Sequence, residues 1–192
     1  MKNNVLLLGG TGTLGSKIIK SKFFPNLKHP KKKILNILNK KQIENYLIKK
    51  KINLVLHCAA LARVKDCELN KSKAKKINVI GTQNIVKSIL KIKKIKKKDI
   101  KLVFISSDAV YASTRGNYKE TDKTSPYNIY GLTKLKGEKI VKKLKNYMII
   151  RTRFFDKRKI PFKYSAINIY SSSLEVNKLV KYISILVKKK FH

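Results

Sequence analysis

Tyr130 and Lys134 stand four residues apart in Tyr130-Gly131-Leu132-Thr133-Lys134, a spacing that sets a phenol and an ammonium on one face of a helix. A nearby ammonium favours the phenolate and depresses the tyrosine pKa. A phenol so tuned gives a proton to a carbonyl as hydride arrives, or takes one from an alcohol in the reverse direction. With 9 Tyr in a lysine-rich chain, Y-x-x-x-K arises by chance roughly once or twice, and Tyr46…Lys50 is a second copy. Context separates the two. Tyr130 follows Ser125-Pro126-Tyr127-Asn128 and precedes Lys136-Gly137-Glu138. It also lies downstream of Phe104-Ile105-Ser106-Ser107-Asp108-Ala109-Val110-Tyr111, a β-forming run that ends in two serines. Ligands of parallel sheets sit beyond the carboxyl ends of the strands. A Ser107 hydroxyl there can bond a carbonyl and steady the developing oxyanion, or simply cap its own backbone. Tyr46 has no such surroundings and reads as helix surface.

A second constellation lies at the start of the chain. Val5 to Leu8 feed directly into Gly9-Gly10-Thr11-Gly12-Thr13-Leu14-Gly15, which holds four of the eight glycines. Strand, tight turn and helix opening in that order make a phosphate site, because glycine lets the backbone turn and approach a pyrophosphate while the helix amides near Thr13 face it. The spacing is G-x-x-G-x-x-G. A glycine-rich turn without ligand is the plainer reading, and the apolar strand before it favours the dinucleotide.

These residues need elements to hold them. Short β-rich runs alternate with lysine-spaced amphipathic stretches, which predicts an α/β fold with a Rossmann-type, doubly wound parallel sheet. Strands are expected at Asn4–Leu8, Lys33–Leu38, Leu54–His57, Lys101–Ser106 and, numbered as a sixth, Tyr147–Ile150. Helices are expected at Thr13–Phe23, Lys40–Lys50, Ala74–Leu90, Pro126–Lys145 capped by Ser125, and Leu174–Lys190. Residues 156–173 read as loop, and Lys91–Lys98 as a solvated helix end or loop.

The chain of 192 residues is long enough for a sizeable core. It has no apolar run long enough to span a membrane and no room for a secretory signal before the glycines, so the cytoplasm is the expected compartment. Cys58, Cys67 and three scattered histidines form neither a disulfide framework nor a metal-ligand set, and free, buried or half-buried thiols are expected. The net charge of +37 invites a nucleic-acid reading. Against it, only Arg63, Arg115, Arg151, Arg153 and Arg158 are arginines, and the lysines fill nearly every polar position. Compositional drift explains this better, with specific nucleic-acid binding not expected.

Five segments in order now carry a resemblance: Gly9-x-x-Gly12-x-x-Gly15; His57-Cys58-Ala59-Ala60; Asn78-Val79-Ile80-Gly81-Thr82-Gln83-Asn84; Ile105 to Tyr111; and Tyr130 to Glu138. The chain resembles the extended short-chain dehydrogenase/reductases of the NAD-dependent epimerase/dehydratase group, and within it the dTDP-4-dehydrorhamnose reductases. The resemblance implies an NAD(P)H-dependent reductase of a 4-keto-6-deoxy nucleotide sugar, of the kind that feeds cell-surface polysaccharide synthesis. Tyr130 would be the acid/base. Lys134 would bind the nicotinamide ribose and tune it, Ser107 would polarise the C4 carbonyl, and Asp108 would assist proton supply or substrate binding. Gly9, Thr11, Gly12, Thr13, Leu14, Gly15, Ala59, Ala60, Tyr130 and Lys134 would line the cofactor, with Arg151 after the sixth strand as in relatives. A homodimer through helices beside the tyrosine helix is also implied.

Two departures qualify this. The family's fold places an acid about 20 residues past the glycines for the adenosine ribose of NAD. Here no acid precedes Glu44, and Lys28, Lys31, Lys32 and Lys33 occupy the region, favouring NADPH over NADH and suggesting that the usual second strand is abbreviated or missing. Residues 1–153 form the expected dinucleotide domain and leave only 154–192 for a truncated substrate lobe. An epimerase or dehydratase of the same fold, and a catalytically weak dinucleotide-binding regulatory subunit, are the alternative readings.

Overall fold

The computed structural model describes residues 4–112, 114, 116–158 and 172–188. Strand β1 (Val5–Leu8) is buried throughout, as a central strand of a parallel sheet must be when helices cover both faces. It is flanked by β2 (Leu27–Lys28) and β3 (Leu54–His57), beyond which lie β4 (Lys101–Ile105) and β5 (Tyr147–Ile150). The order is β2-β1-β3-β4-β5, all parallel, with Val5 opposite Leu27 on one side and Leu54 on the other. The chain therefore leaves β1 toward opposite edges, and the carboxyl ends of β1 and β3 form the switch-point crevice where such folds bind ligands.

Period-two alternation sends strand residues to two cores. Leu6, Leu8, Val55, Leu102 and Phe104 pack under α2 (Lys40–Lys49), α5 (Gly81–Lys96) and α6 (Ile129–Val141). Val5, Leu7, Leu54, Val103 and Ile105 pack under α1 (Thr13–Ser21) and α7 (Val176–Lys188). The α/β doubly wound prediction thus describes the molecule. A parallel pair, β6 (Phe154–Phe155) with β7 (Leu174–Glu175), leads into α7, which lies against α1.

Several element boundaries differ from the sequence expectation, each for a local reason. Residues 33–38 form no strand. The Asn36 amide is taken by Gln42 Oε1 at 3.0 Å and the Leu38 amide by Asn36 Oδ1 at 3.0 Å, so side chains satisfy groups a ladder would have used. The abbreviated second strand lies earlier, at Leu27–Lys28, which makes Tyr147–Ile150 the fifth strand of its sheet. The expected Ala74–Leu90 helix is a longer composite: α3 (Val64–Leu69), α4 (Lys71–Ala74) capped by Asn70, a π-helical segment Lys75–Ile80, and α5 running on to Lys96. Helix α1 stops at Ser21 with Lys22 left-handed, and α6 starts at Ile129 instead of Pro126, because Asn128 is the residue whose side chain accepts the Gly131 amide at 2.7 Å. Leu174 and Glu175 open the last helix as a strand. Of the expected 156–173 loop, residues 159–171 lie outside the described residues, as do 189–192. Among the described residues no helix is long and apolar enough to cross a membrane.

Candidate active site

The turn after β1 is built against the end of β3. Gly9 holds φ +89°, and a Cβ on it would lie 2.6 Å from the Ala59 backbone nitrogen, so only glycine lets the two loops meet. Gly12 N donates to Gly9 O at 3.1 Å, and α1 begins at Thr13 with no side-chain cap and no acid in its first turn. Its leading amides are therefore open to an anion. Thr11, Gly12 and Thr13 are exposed and Ala59 and Ala60 are half-buried at this crevice, whereas the Leu14 side chain belongs to the core beneath.

Ser106 and Ser107, which follow β4, point to different tasks. Ser106 Oγ donates to Glu138, while Ser107 Oγ donates to Asp108 Oδ1 at 3.0 Å and accepts the Ala109 amide at 3.2 Å, capping the short 3₁₀ turn Asp108–Val110. Helix α6 lies directly on that turn: a Cβ on Gly131 would stand 2.0 Å from Ala109 O. This contact brings Tyr130 near Ser107, whose hydroxyl acts to lower the pKa of the phenol. Asp108 is engaged by Arg153, Nε to Oδ2 2.8 Å.

Lys134, one turn along α6, is buried, with Nζ 4.0 Å above the centre of the Phe104 ring. Burial lowers its pKa to about 8, against smaller raising effects of Cys58 and Glu138. The spacing argument predicts a depressed tyrosine, and the structure corrects it. Burial pushes the Tyr130 phenol up to about 12; the nearby Ser107 hydroxyl acts to lower it, and the charges of Asp108 and Cys67 add to the rise. Lys134 packs inward over Phe104, so desolvation decides the outcome.

Two buried polar networks, unassigned from sequence, fix α6. Asn78 of the π-helical segment accepts the Leu61 amide at 2.8 Å and donates to Leu61 O at 3.1 Å and Thr133 Oγ at 2.9 Å, and Thr133 in turn bonds Tyr130 O. The loop after β3 and the tyrosine helix thus share one side chain. On the other side Arg151, just past β5, forks onto Glu138, Nε to Oε1 3.0 Å and Nη2 to Oε2 2.8 Å, and reaches the Tyr111 hydroxyl at 2.7 Å. The available signal was a polar residue inside an apolar period, Asn78 between Ile77 and Val79.

A model of the RmlD substrate binding domain family matches residues 1–173. The chain belongs to that family. It is 33% identical over 147 residues to methionine adenosyltransferase 2 subunit beta of Bos taurus, covering 71% of this chain and 42% of that protein. Among solved structures, a dTDP-4-dehydrorhamnose reductase of Bacillus anthracis in complex with NADP aligns with TM-score 0.74 and 31% identity over 84% of this chain and 57% of that one. A hypothetical dTDP-4-dehydrorhamnose reductase of Sulfolobus tokodaii aligns with TM-score 0.78 and 28% identity over 96% and 72%. This RmlD-family chain spans less than half the length of the Bos taurus subunit.

The switch-point crevice of this family member fits a dinucleotide. The glycine turn leaves room for a pyrophosphate at the open amides of α1, and Gly10 lies beside His29, within the basic segment that follows β2.

Proposed function

We propose that this protein binds NADPH, or NADH less well, and reduces a 4-keto-6-deoxy sugar carried on a nucleotide. The observation that supports this reading is that Tyr130 lies by Ser107 at the carboxyl end of β4, with Lys134 buried one turn further along the same helix, at the same carboxyl end of the sheet as the glycine turn. Reduced nicotinamide, when bound, supplies hydride to a carbonyl carbon. Tyr130 then gives its phenolic proton to the carbonyl oxygen, a role that suits a phenol held near 12 and so protonated at neutral pH. Ser107 turns its hydroxyl from Asp108 to the same oxygen and stabilises the charge developing there. Lys134 offers N–H donors to the nicotinamide ribose, and Thr11 to Gly15 with Ala59 and Ala60 hold the pyrophosphate and its neighbourhood. Asp108, pinned by Arg153, borders the substrate side. Lys28 and Lys31 to Lys33 favour a 2′-phosphate. Residues 154–192 contribute to the substrate side, with the chain acting in the cytoplasm as a homodimer.

The test is to mix purified protein with NADPH or NADH and a 4-keto-6-deoxy sugar nucleotide and follow absorbance of the reduced nicotinamide. Substrate-dependent loss of signal supports the reductase. A redox-neutral change of the sugar supports an epimerase or dehydratase instead. A second reading, a dinucleotide-binding regulatory subunit of little turnover, is favoured by the likeness to a protein named as a subunit. Tight dinucleotide binding with a flat signal supports it.

A further inference from the structure

Two basic side chains share the ring of Phe104 beneath the candidate site. His57, 1% exposed at the end of β3, tilts against that ring with centroids 5.4 Å apart, and Lys134 Nζ lies over it. Neighbours set the imidazole tautomer. Thr82 Oγ donates its one proton to Asn78 O at 2.7 Å, so His57 Nε2, 3.0 Å from the same hydroxyl oxygen, must donate. Nδ1 is left as a bare lone pair, buried and without a partner. Buried acceptors in folded proteins are seldom left so.

The groups that surround Lys134 narrow the choice of donor. His57 and Cys58 act on it from the end of β3, and Glu138 from its own helix, but Glu138 is committed to Arg151 and Ser106. Among the described residues no carboxylate pairs with Lys134, so the ammonium is held by an aromatic face and by uncharged groups.

We infer that His57 is a positioning residue for Lys134: its Nδ1 lone pair is the uncharged acceptor that, through one bound water, keeps the ammonium over the Phe104 ring. A carboxylate there would tie the lysine into a fixed ion pair, and a second cation would expel it. Burial and the Lys134 charge lower the imidazole pKa to about 3, so it remains a neutral acceptor at physiological pH. The lysine is thereby steadied while its remaining N–H donors stay available toward the crevice. The functional meaning of this arrangement rests on the proposed cofactor role of Lys134, but the arrangement belongs to the ligand-free protein and is tested there.

The measurement is an NMR titration of the whole chain labelled with ¹³C,¹⁵N-lysine, following Cε and Nζ shifts without dinucleotide or sugar. Loss of one resonance in Lys134→Met assigns it. His57→Leu, which removes the lone pair, is expected to move the Lys134 midpoint down by about half a pH unit or more, and His57→Asn, which keeps an acceptor, to restore most of it. Thr82→Val releases the tautomer, lets Nδ1 take the proton, and is expected to shift the midpoint in the same direction as His57→Leu. A histidine that only fills space would lower the melting temperature and leave the Lys134 midpoint where it is. An unchanged midpoint in a folded His57→Leu protein overturns the inference. If that variant does not fold, an unchanged midpoint in Thr82→Val does so. Absence of turnover has no bearing on this readout, so failure of the reductase reading and failure of this inference are distinguishable.

Discussion

Replacing Glu138 by Leu should leave Arg151 as an uncompensated cation inside the frame that holds the tyrosine helix. The Glu138 side chain is 1% exposed and that of Arg151 15%, and the pair is bidentate, Nε to Oε1 at 3.0 Å and Nη2 to Oε2 at 2.8 Å. The other partners of Arg151, the Tyr111 hydroxyl at 2.7 Å and Glu120 O at 3.1 Å, carry no charge and cannot replace the carboxylate. Removing one member of a buried pair destabilises by about 3–5 kcal/mol, and the residual exposure of Arg151 places this case at the lower end, about 3 kcal/mol. For a chain of this size each kcal/mol moves Tm by about 2–4 °C, so Glu138→Leu should melt about 6–12 °C lower. Replacing the whole pair, Glu138→Leu with Arg151→Met, leaves no orphaned charge and should recover most of the loss. Thermal unfolding followed by circular dichroism of the wild type, both single variants and the double variant gives the coupling directly. A loss of less than about 1 kcal/mol in Glu138→Leu, or a double variant no more stable than the weaker single one, would show that Arg151 is not left as a buried, uncompensated charge.

Other expectations follow from the same geometry. Gly9→Ala forces a Cβ at φ +89° to within 2.6 Å of Ala59 N. It should lower stability by about 1–3 kcal/mol and weaken NADPH binding at least about tenfold in a fluorescence titration. Asn78→Leu strips partners from Leu61 N, Leu61 O and Thr133, at about 1–3 kcal/mol for each group left buried and unpaired, visible as a lower urea midpoint. Lys134 has a folded-state pKa of about 8 against an ordinary 10.5, so between those values the unfolded chain holds the extra proton and stability rises with pH. Lys134→Met should therefore stabilise most below pH 8, with the advantage fading toward 10.5 in melts across that range. His57, lowered from 6.5 to about 3, works at the acid end: the unfolded chain takes the proton first, and stability should fall as pH drops through that window, less so in His57→Asn.

What the sequence disclosed and what it hid divide along physical lines. The glycine turn was legible because its backbone demand falls on residue type, and β1, β3 and β4 because continuous Val, Leu and Ile runs have few other uses. The helix of Tyr130 was legible but its start was not, since Ser125-Pro126 and Asn128 all suit a cap and only the tertiary contact with Ala109 selects among them. The segment 33–38 has a strand's pattern but forms none, because side-chain amides of Asn36 and Gln42 replace a ladder, an exchange that period and propensity do not register. The Tyr130 and Lys134 pair was found by spacing, but the direction of the phenol's shift depends on burial and on Phe104, which spacing does not carry. Asn78 and the Arg151 fork join residues 17 and 13 or more positions apart, beyond the reach of any local pattern.

In the proposed reaction Tyr130 delivers the proton while a dinucleotide sits at the glycine turn. Its most direct test compares wild type with Tyr130→Phe in substrate-dependent oxidation of NADPH by a 4-keto-6-deoxy sugar nucleotide, with NADPH affinity measured alongside. Turnover is expected in the wild type and its loss by at least about a hundredfold in Tyr130→Phe, with NADPH affinity retained. Full turnover in Tyr130→Phe would contradict it.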